Sequence, residues 1–433
     1  MPAGSAPDRA RWSDGAVSPG ANGSRVDDTP SELRDARWYG RHVSPSELDP
    51  TDLIDLDHLL SDEEKQIRGV AREWIQRRVL PEVEDWFEKG EFPARDLAKE
   101  LGELGFFLMQ LDTEWTLGLN SVAYGLVELE LEAGDSGLRS FVSVQSALAG
   151  YAIYRWGSDE QRAEWVPKMA SGEAIACFGL SEPDSGSDPG SMRTSAKKDG
   201  DDWILNGTKM WITNGGVSDI AVVWAQTDDG IRGFIVPCDV DGFTANPIHK
   251  KLSLRASDTS ELVMDGVRLP ADAVFPEVRG LKGPLSCLNE ARYGIVWGVM
   301  GAARSCLETA IEYSKTREQF DRPIGSFQLT QKKLADMALE LFKGTLLAYH
   351  LGRLKDEKGL RPEQVSVGKL NNTREALKIA RTSRAILGAN GITLEYPIMR
   401  HMTNLESVLT YEGTEEVHTL VIGEQLTGLR AFT

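Results

Sequence analysis

The sequence predicts an α+β chain: a helical segment, then a mostly β segment, then a second helical segment. Three observations carry that order. Apolar residues recur at helical spacing up to about residue 170. Short apolar runs broken by Gly, Asn and Asp occupy the stretch from Cys177 to about Val274, and helical periodicity then returns to the end. At 433 residues the chain exceeds one ordinary core, and the expected divisions are residues 1–46, 47–175, 176–284 and 285–433.

Residues 1–46 are rich in Gly, Ser, Pro, Asp and Arg. They lack the apolar core of a secretory signal, and Asp8, Asp14, Asp27 and Asp28 count against a mitochondrial presequence. The composition fits a disordered bacterial extension or a cloning remnant. Order is expected near Ser61, where Ser61-Asp62-Glu63-Glu64 spells a capping box. Behind it Ile67, Val70, Ala71, Trp74 and Ile75 form one apolar helical stripe. Further helical patterns cover residues 94–105, 121–133 and 160–170.

In the middle segment, Trp203-Ile204-Leu205 is closed by Asn206-Gly207 and Leu262-Val263-Met264 by Asp265-Gly266. With residues 220–225 and 233–237 these read as strands and turns. Beyond residue 285, Leu334, Met337, Ala338 and Leu341 share one helix face, and Ala376, Ile379 and Ala380 another, which predicts a helical bundle.

Composition excludes several functions. With 48 basic against 66 acidic side chains, the net charge of −18 argues against nucleic-acid binding. No apolar run is long enough to span a bilayer. Cys177, Cys238, Cys287 and Cys306 are scattered, as in a reducing bacterial cytoplasm, and are expected to be buried spectators. The six histidines are dispersed and form no metal motif. Gly134-Asp135-Ser136-Gly137 spells the nucleophile segment of trypsin-like proteases, but it follows a helical Leu/Glu stretch and no histidine supports a triad.

Five motifs remain, in order along the chain. The first runs over residues 178–188, Phe-Gly-Leu-Ser-Glu-Pro-Asp-Ser-Gly-Ser-Asp. Lys209-Met210-Trp211-Ile212-Thr213-Asn214 follows, then Arg317-Glu318-Gln319-Phe320 with Gln328. Leu387-Gly388-Ala389-Asn390-Gly391 and Tyr411-Glu412-Gly413-Thr414 complete the set. From about residue 60 onward the chain resembles the acyl-CoA dehydrogenase family, and within it the branch acting on glutaryl-CoA.

That resemblance implies a helical N-terminal domain, a β-barrel-like middle domain and a C-terminal four-helix bundle. It further implies FAD, held by Phe178, Gly179, Leu180, Ser181, Ser187, Trp211, Ile212, Thr213 and Thr414. Arg317, Phe320, Gln328 and the turn Ala385-Ile386-Leu387-Gly388-Ala389 would reach FAD bound mainly to a neighbouring subunit. The protein is then an oligomer, a homotetramer by family analogy. Ser181 stands where relatives carry Thr, Ala389 where they carry a second Gly, and Leu138 where Tyr is common.

Glu412 matches the base that abstracts the proton beside the thioester. A proton so weakly acidic requires a polarised carbonyl and a carboxylate made more basic by desolvation. Arg139 matches the residue that binds a distal substrate carboxylate, helped by Glu132, Ser140 and Ser143. Leu285, Leu288, Asn289 and Arg292 lie where relatives meet CoA, while Tyr411 and Gly413 flank the acyl chain. The expected reaction is oxidation of glutaryl-CoA with loss of CO2 to crotonyl-CoA, the electrons leaving through an electron-transfer flavoprotein; the alternatives are a dehydrogenase of another short-chain or dicarboxylic acyl-CoA without decarboxylation, and a non-catalytic CoA-binding relative.

Overall fold

The computed structural model describes residues 49–431; the extension expected over residues 1–46 lies outside them. The expected capping box forms. Ser61 Oγ accepts from the Glu64 N–H at 3.2 Å, the Glu64 carboxylate accepts from the Ser61 N–H at 2.9 Å, and α1 (Asp62–Trp74) starts there. Helices α2 (Val83–Lys89), α3 (Ala94–Glu103), α4 (Ser121–Gly134), α5 (Ser136–Ser143), α6 (Tyr151–Trp156) and α7 (Asp159–Ala170) follow. A π-helical segment, Val144–Gly150, joins α5 to α6 without a break.

Seven strands make one sheet: β1 (Ala176–Gly179), β2 (Ser195–Asp199), β3 (Asp202–Thr213), β4 (Ile220–Thr227), β5 (Gly230–Pro237), β6 (Phe243–Pro247) and β7 (Thr259–Leu269). The order is β1-β4-β2-β3-β7-β6, with β5 paired to β4. The long helix α8 (Lys282–Thr316) comes next, then a small hairpin of β8 (Glu318–Gln319) and β9 (Arg322–Pro323). Helices α9 (Gln328–Lys358), α10 (Pro362–Leu387), α11 (Pro397–Val408) and α12 (Glu415–Thr427) end the chain. The fold is the expected α+β class, helical at both ends with a sheet between. Among the described residues no helix is long and apolar enough to cross a membrane.

Two expected turns are absent. Asn206-Gly207 lies inside β3 and Asp265-Gly266 inside β7, and the β3–β7 register shifts between Leu205 and Gly207. Asn206 Oδ1 accepts from the Gly266 N–H at 2.8 Å, so the two pairs form one bulge across neighbouring strands. A Cβ on Gly207 would collide with Thr194, which explains the glycine by close approach.

Helix α4 packs against α1, α5, α8 and α9. Asn120 caps it, accepting from the Ala123 N–H at 2.8 Å, and all of its residues but Ala133 are buried. Glu130 points one way and takes Arg304 and Arg72. Glu128 and Glu132, one helical turn apart, share a different face toward α5 and α8. Helix α8 approaches there through glycines: a Cβ on Gly298 would strike the Glu132 carboxylate, and one on Gly294 would lie 2.8 Å from the Tyr124 hydroxyl.

The protease-like segment has a structural role. Asp135 caps α5, accepting from the Gly137 N–H at 2.6 Å, and its other oxygen takes Arg400 at 2.7 Å and Asn404 at 3.0 Å, both on α11. One carboxylate thus ties the helix that carries Arg139 to the helix that leads into the Glu412 loop. Replacing Asp135 with Ala removes the cap and strands a buried guanidinium, with an expected loss of about 3–5 kcal/mol in urea unfolding. A loss under about 1 kcal/mol would contradict this role.

Candidate active site

Glu412 sits in the loop between α11 and α12 with φ 55°, in the left-handed region. Thr414 ends the loop by capping α12, accepting from the Val417 N–H at 3.3 Å. Gly413 has φ 99°, and a Cβ there would lie 2.8 Å from His418 Nε2. The glycine is therefore demanded by the chain's own packing. Although Glu412 as a whole is only partly buried, its Oε2 is shut off from solvent and has no hydrogen-bond partner. Burial pushes the carboxyl above its ordinary range, against the pull of Arg139, Lys369 and Arg292.

Arg139 is fully buried on α5. Its Nε donates to Glu132 Oε2 at 2.8 Å, its Nη2 meets the Tyr411 hydroxyl, and its Nη1 is buried with no partner. Ser136 donates to the other Glu132 oxygen at 2.9 Å, so the brace is itself held. Burial works against the guanidinium charge, but Tyr411 and the Glu132 carboxylate above all outweigh it, and Arg139 stays protonated. Ser140 lies 3.4 Å from the Tyr411 hydroxyl, while the buried Ser143 hydroxyl is unpartnered. One neighbourhood therefore holds an unpartnered carboxyl, a guanidinium with a free N–H edge, and hydroxyls.

Arg292, near the start of α8, donates from Nε to the Glu412 carbonyl at 2.7 Å and from Nη1 to Asn289 at 3.3 Å. It faces the Glu412 loop. Leu285 and Leu288 lie on the turns before it, Leu285 exposed and Leu288 half-buried.

A second group gathers at the end of β3. Thr213 is half-buried, Ile212 is buried, and Trp211 has a left-handed backbone and an indole 64% exposed. Phe178, Gly179 and Leu180 are buried on and after β1, Ser181 is half-buried and Ser187 is exposed. The Ser181 carbonyl accepts from the Met210 N–H at 2.9 Å. Lys209 donates to the Leu180 carbonyl at 3.0 Å and to Glu182 at 2.8 Å.

Burial alone would raise Glu182, but hydrogen bonds from Lys209 and from Thr194 and Arg193 hold it down at about 2. Burial in turn pushes Lys209 down to about 8. The two shifts weigh the pair oppositely. We read it as ionised, because Glu182 also accepts two backbone N–H groups, at 2.6 and 3.0 Å.

The remaining expected residues form a separate cluster. Arg317 ends α8, roughly 37 Å along that helix from Arg292. The hairpin turn at Phe320 and Asp321 has φ 55° and 62°, the geometry of a two-residue β-turn with both central residues left-handed, and it leaves Phe320 87% exposed. Gln328 opens α9. The turn Ala385-Ile386-Leu387-Gly388-Ala389 closes α10 near this end, where Asn390 donates to Tyr313 at 3.1 Å. The fold does not bring this cluster to Glu412 of the same chain.

The structure adds three residues that the sequence did not single out. Glu128 is fully buried with both oxygens unpartnered, and burial pushes it up to about 8, protonated near neutral pH. Its only signal was its place one turn before Glu132. His418 Nδ1 lies 3.0 Å from Ser366 Oγ, and burial, aided by Lys369 and Arg292, lowers the ring to about 3. Lys369 is buried on α10 against the Glu412 loop. The four cysteines are free, and three are buried; Cys238 is partly so.

Comparison with known proteins gives three matched stretches. Residues 61–173, 177–267 and 278–427 match the N-terminal, middle and C-terminal domains of acyl-CoA dehydrogenases. The short-chain specific acyl-CoA dehydrogenase of Bos taurus mitochondria is 34% identical, over 85% of this chain and 90% of that protein. A crystal structure of glutaryl-CoA dehydrogenase from Mycobacterium smegmatis is 65% identical, with a TM-score of 0.88 over 89% of this chain and 99% of that one. A second structure of a glutaryl-CoA dehydrogenase from that organism, in complex with FADH2, is 61% identical with the same TM-score and coverage.

The Glu182 carboxylate yields a signed expectation. Its depressed folded value contributes stability that is present above about pH 4.5 and lost as pH falls toward 2. Urea midpoints of wild type and Glu182→Gln should differ at pH 7 and converge toward pH 3. A gap independent of pH would contradict the assignment.

Proposed function

The chain belongs to the acyl-CoA dehydrogenase family, and on that premise we propose that it oxidises glutaryl-CoA between Cα and Cβ and releases CO2 to give crotonyl-CoA. The observation that carries the substrate class is Arg139, fully buried beside Glu412 with Nη1 unpartnered. A buried guanidinium with a free donor edge is costly unless a ligand completes it, and a carboxylate does so through charge-assisted hydrogen bonds. The 65% identity to a glutaryl-CoA dehydrogenase supports the same reading.

The residues at the end of β3 fit FAD. Trp211 presents an exposed indole face and Thr213 a hydroxyl two residues on. The loop at Leu180 and Ser181 is pinned to β3 by Lys209, as a planar heterocycle requires of its edges. Bound there, FAD supplies the acceptor for the β-hydride.

The chain's own groups do the rest. Glu412, made more basic by enclosure, takes the α-proton while its own backbone N–H polarises the thioester carbonyl. Arg139 grips the distal carboxylate, with Glu132 fixing the guanidinium and Ser140 and Ser143 offering hydroxyls. When the bond to the distal carboxyl breaks, CO2 departs and its electron pair remains as a dienolate. Glu412, protonated in the first half, returns the proton.

Arg317, Phe320, Gln328 and residues 385–389 would serve the FAD of a neighbouring copy, since they stand at the opposite end of α8. We therefore assign a homo-oligomer, a tetramer in keeping with its family, and an electron-transfer flavoprotein as acceptor.

The test compares flavin reduction by glutaryl-CoA and butyryl-CoA in wild type and Arg139→Ala. Loss of two charged hydrogen bonds at about 1.5–3 kcal/mol each is expected to lower kcat/KM for glutaryl-CoA by about 100-fold or more. Butyryl-CoA should be far less affected. Equal losses for both thioesters would return Arg139 to a structural role, and bleaching by butyryl-CoA alone in the wild type would sink the dicarboxylate assignment.

A further inference from the structure

Lysine is almost never fully buried without a partner of opposite charge. Lys369, on α10, is 1% exposed, and both acceptors of its ammonium are neutral. It donates to the Val408 carbonyl at 3.2 Å and to the Gly413 carbonyl at 2.8 Å. One carbonyl closes α11 and the other follows Glu412, so a single ammonium clamps both ends of the loop that carries the base. Between these anchors Glu412 keeps a left-handed backbone that a non-glycine residue holds only under constraint.

We propose that Lys369 is the positioning residue of the base: its ammonium holds the Glu412 loop at both ends and supplies the buried positive charge that keeps Glu412 ionised until substrate arrives. This rests on Glu412 being the base. Of the other two cations around the carboxyl, only Arg139 has a carboxylate partner of its own. Arg139 is paired with Glu132 at 2.8 Å, and Arg292 braces the Glu412 carbonyl at 2.7 Å. Lys369 has no such carboxylate; burial, acting with the nearby Arg292 and Arg139 charges, pushes its ammonium down to about 7 against the opposing pull of Glu412, so its charge depends on the ionised carboxylate.

The charge also serves the return of the proton. Once Glu412 has taken the α-proton, Lys369 loses its counter-charge and stands among guanidinium groups, which favours releasing that proton again. Enclosure makes Glu412 a strong base; Lys369 keeps it from becoming too weak an acid.

The pH dependence has a definite sign. Proton abstraction needs ionised Glu412, so its rate rises with pH through the carboxyl's pKa. Removing the Lys369 charge raises that pKa and moves the acid limb to higher pH. The charged and titratable groups facing the carboxyl are Glu128 and Glu132 on α4, Arg139 on α5, Arg292 on α8, Lys369 on α10, Tyr411 in the loop and His418 on α12. His418, held at about 3, stays neutral across the working range.

The experiment follows exchange of the α-protons of glutaryl-CoA into D2O by NMR, across pH, in the FAD-loaded protein without an electron acceptor. Lys369→Met is expected to slow exchange at pH 7 by about 10–100-fold, with the acid limb displaced upward by about 1–3 pH units. Lys369→Arg should restore the limb to its wild-type position. Lys369→Gln, neutral but still a donor, replaces the Met variant should that one fail to fold. A limb unmoved in the neutral variants overturns the proposal. Glu412→Gln separates the two claims: exchange persisting there defeats the base assignment, whereas an inert Glu412→Gln beside a wild-type-like Lys369→Met defeats this inference alone.

Discussion

A carboxyl group with one oxygen enclosed and unpartnered governs the arrangement of everything around it. Burying an ionised carboxylate is costly, and Glu412 Oε2 has no donor within reach. The fold answers with charge at a distance: Arg139, Lys369 and Arg292 pull against desolvation from three helices. Each cation must itself be held, which is why Glu132 pairs with Arg139, Ser136 steadies Glu132, and the loop carbonyls receive Lys369 and Arg292. A carboxylate with its own donors would lie lower and be a poorer base; this one is stabilised enough to ionise and kept hungry for a proton.

The same demand shapes the backbone. Helix α8 must pass close to the carboxylates of α4, and it does so on glycines at 294 and 298. Asp135 couples the helix carrying Arg139 to the helix leading into the Glu412 loop. Asn214 ties the end of β3 to the same region, donating to the Phe141 carbonyl at 3.3 Å. The sheet end, the guanidinium and the Glu412 loop are thereby held in one frame, the preorganisation that the proposed proton transfer requires. The cluster around Phe320 stands apart from this frame, at the opposite end of α8.

Much of this was legible along the chain. The helices followed apolar periodicity, and the Ser61 capping box formed as spelled. Glu412 and Arg139 stood in compact motifs and could be named. Asn206-Gly207 and Asp265-Gly266 misled because two turn-like pairs facing each other across strands build a bulge, and register is invisible in one dimension. Lys369 was invisible for a related reason. Its partners lie 39 and 44 residues downstream, and lysine at a helical position ordinarily signals a solvated face. Glu128 was hidden inside a Leu/Glu alternation that reads as surface until α8 covers it.

The central claim is that Glu412 is a carboxyl whose enclosure makes it basic. Infrared difference spectra between wild type and Glu412→Gln, followed across pH, isolate the protonated and ionised bands of that one group. The expected result is a single carboxyl that ionises clearly above the ordinary glutamate value of 4.5, with the variant unable to abstract the α-proton. A carboxyl that titrates at the ordinary value, or a variant that oxidises thioester at the wild-type rate, would contradict the account.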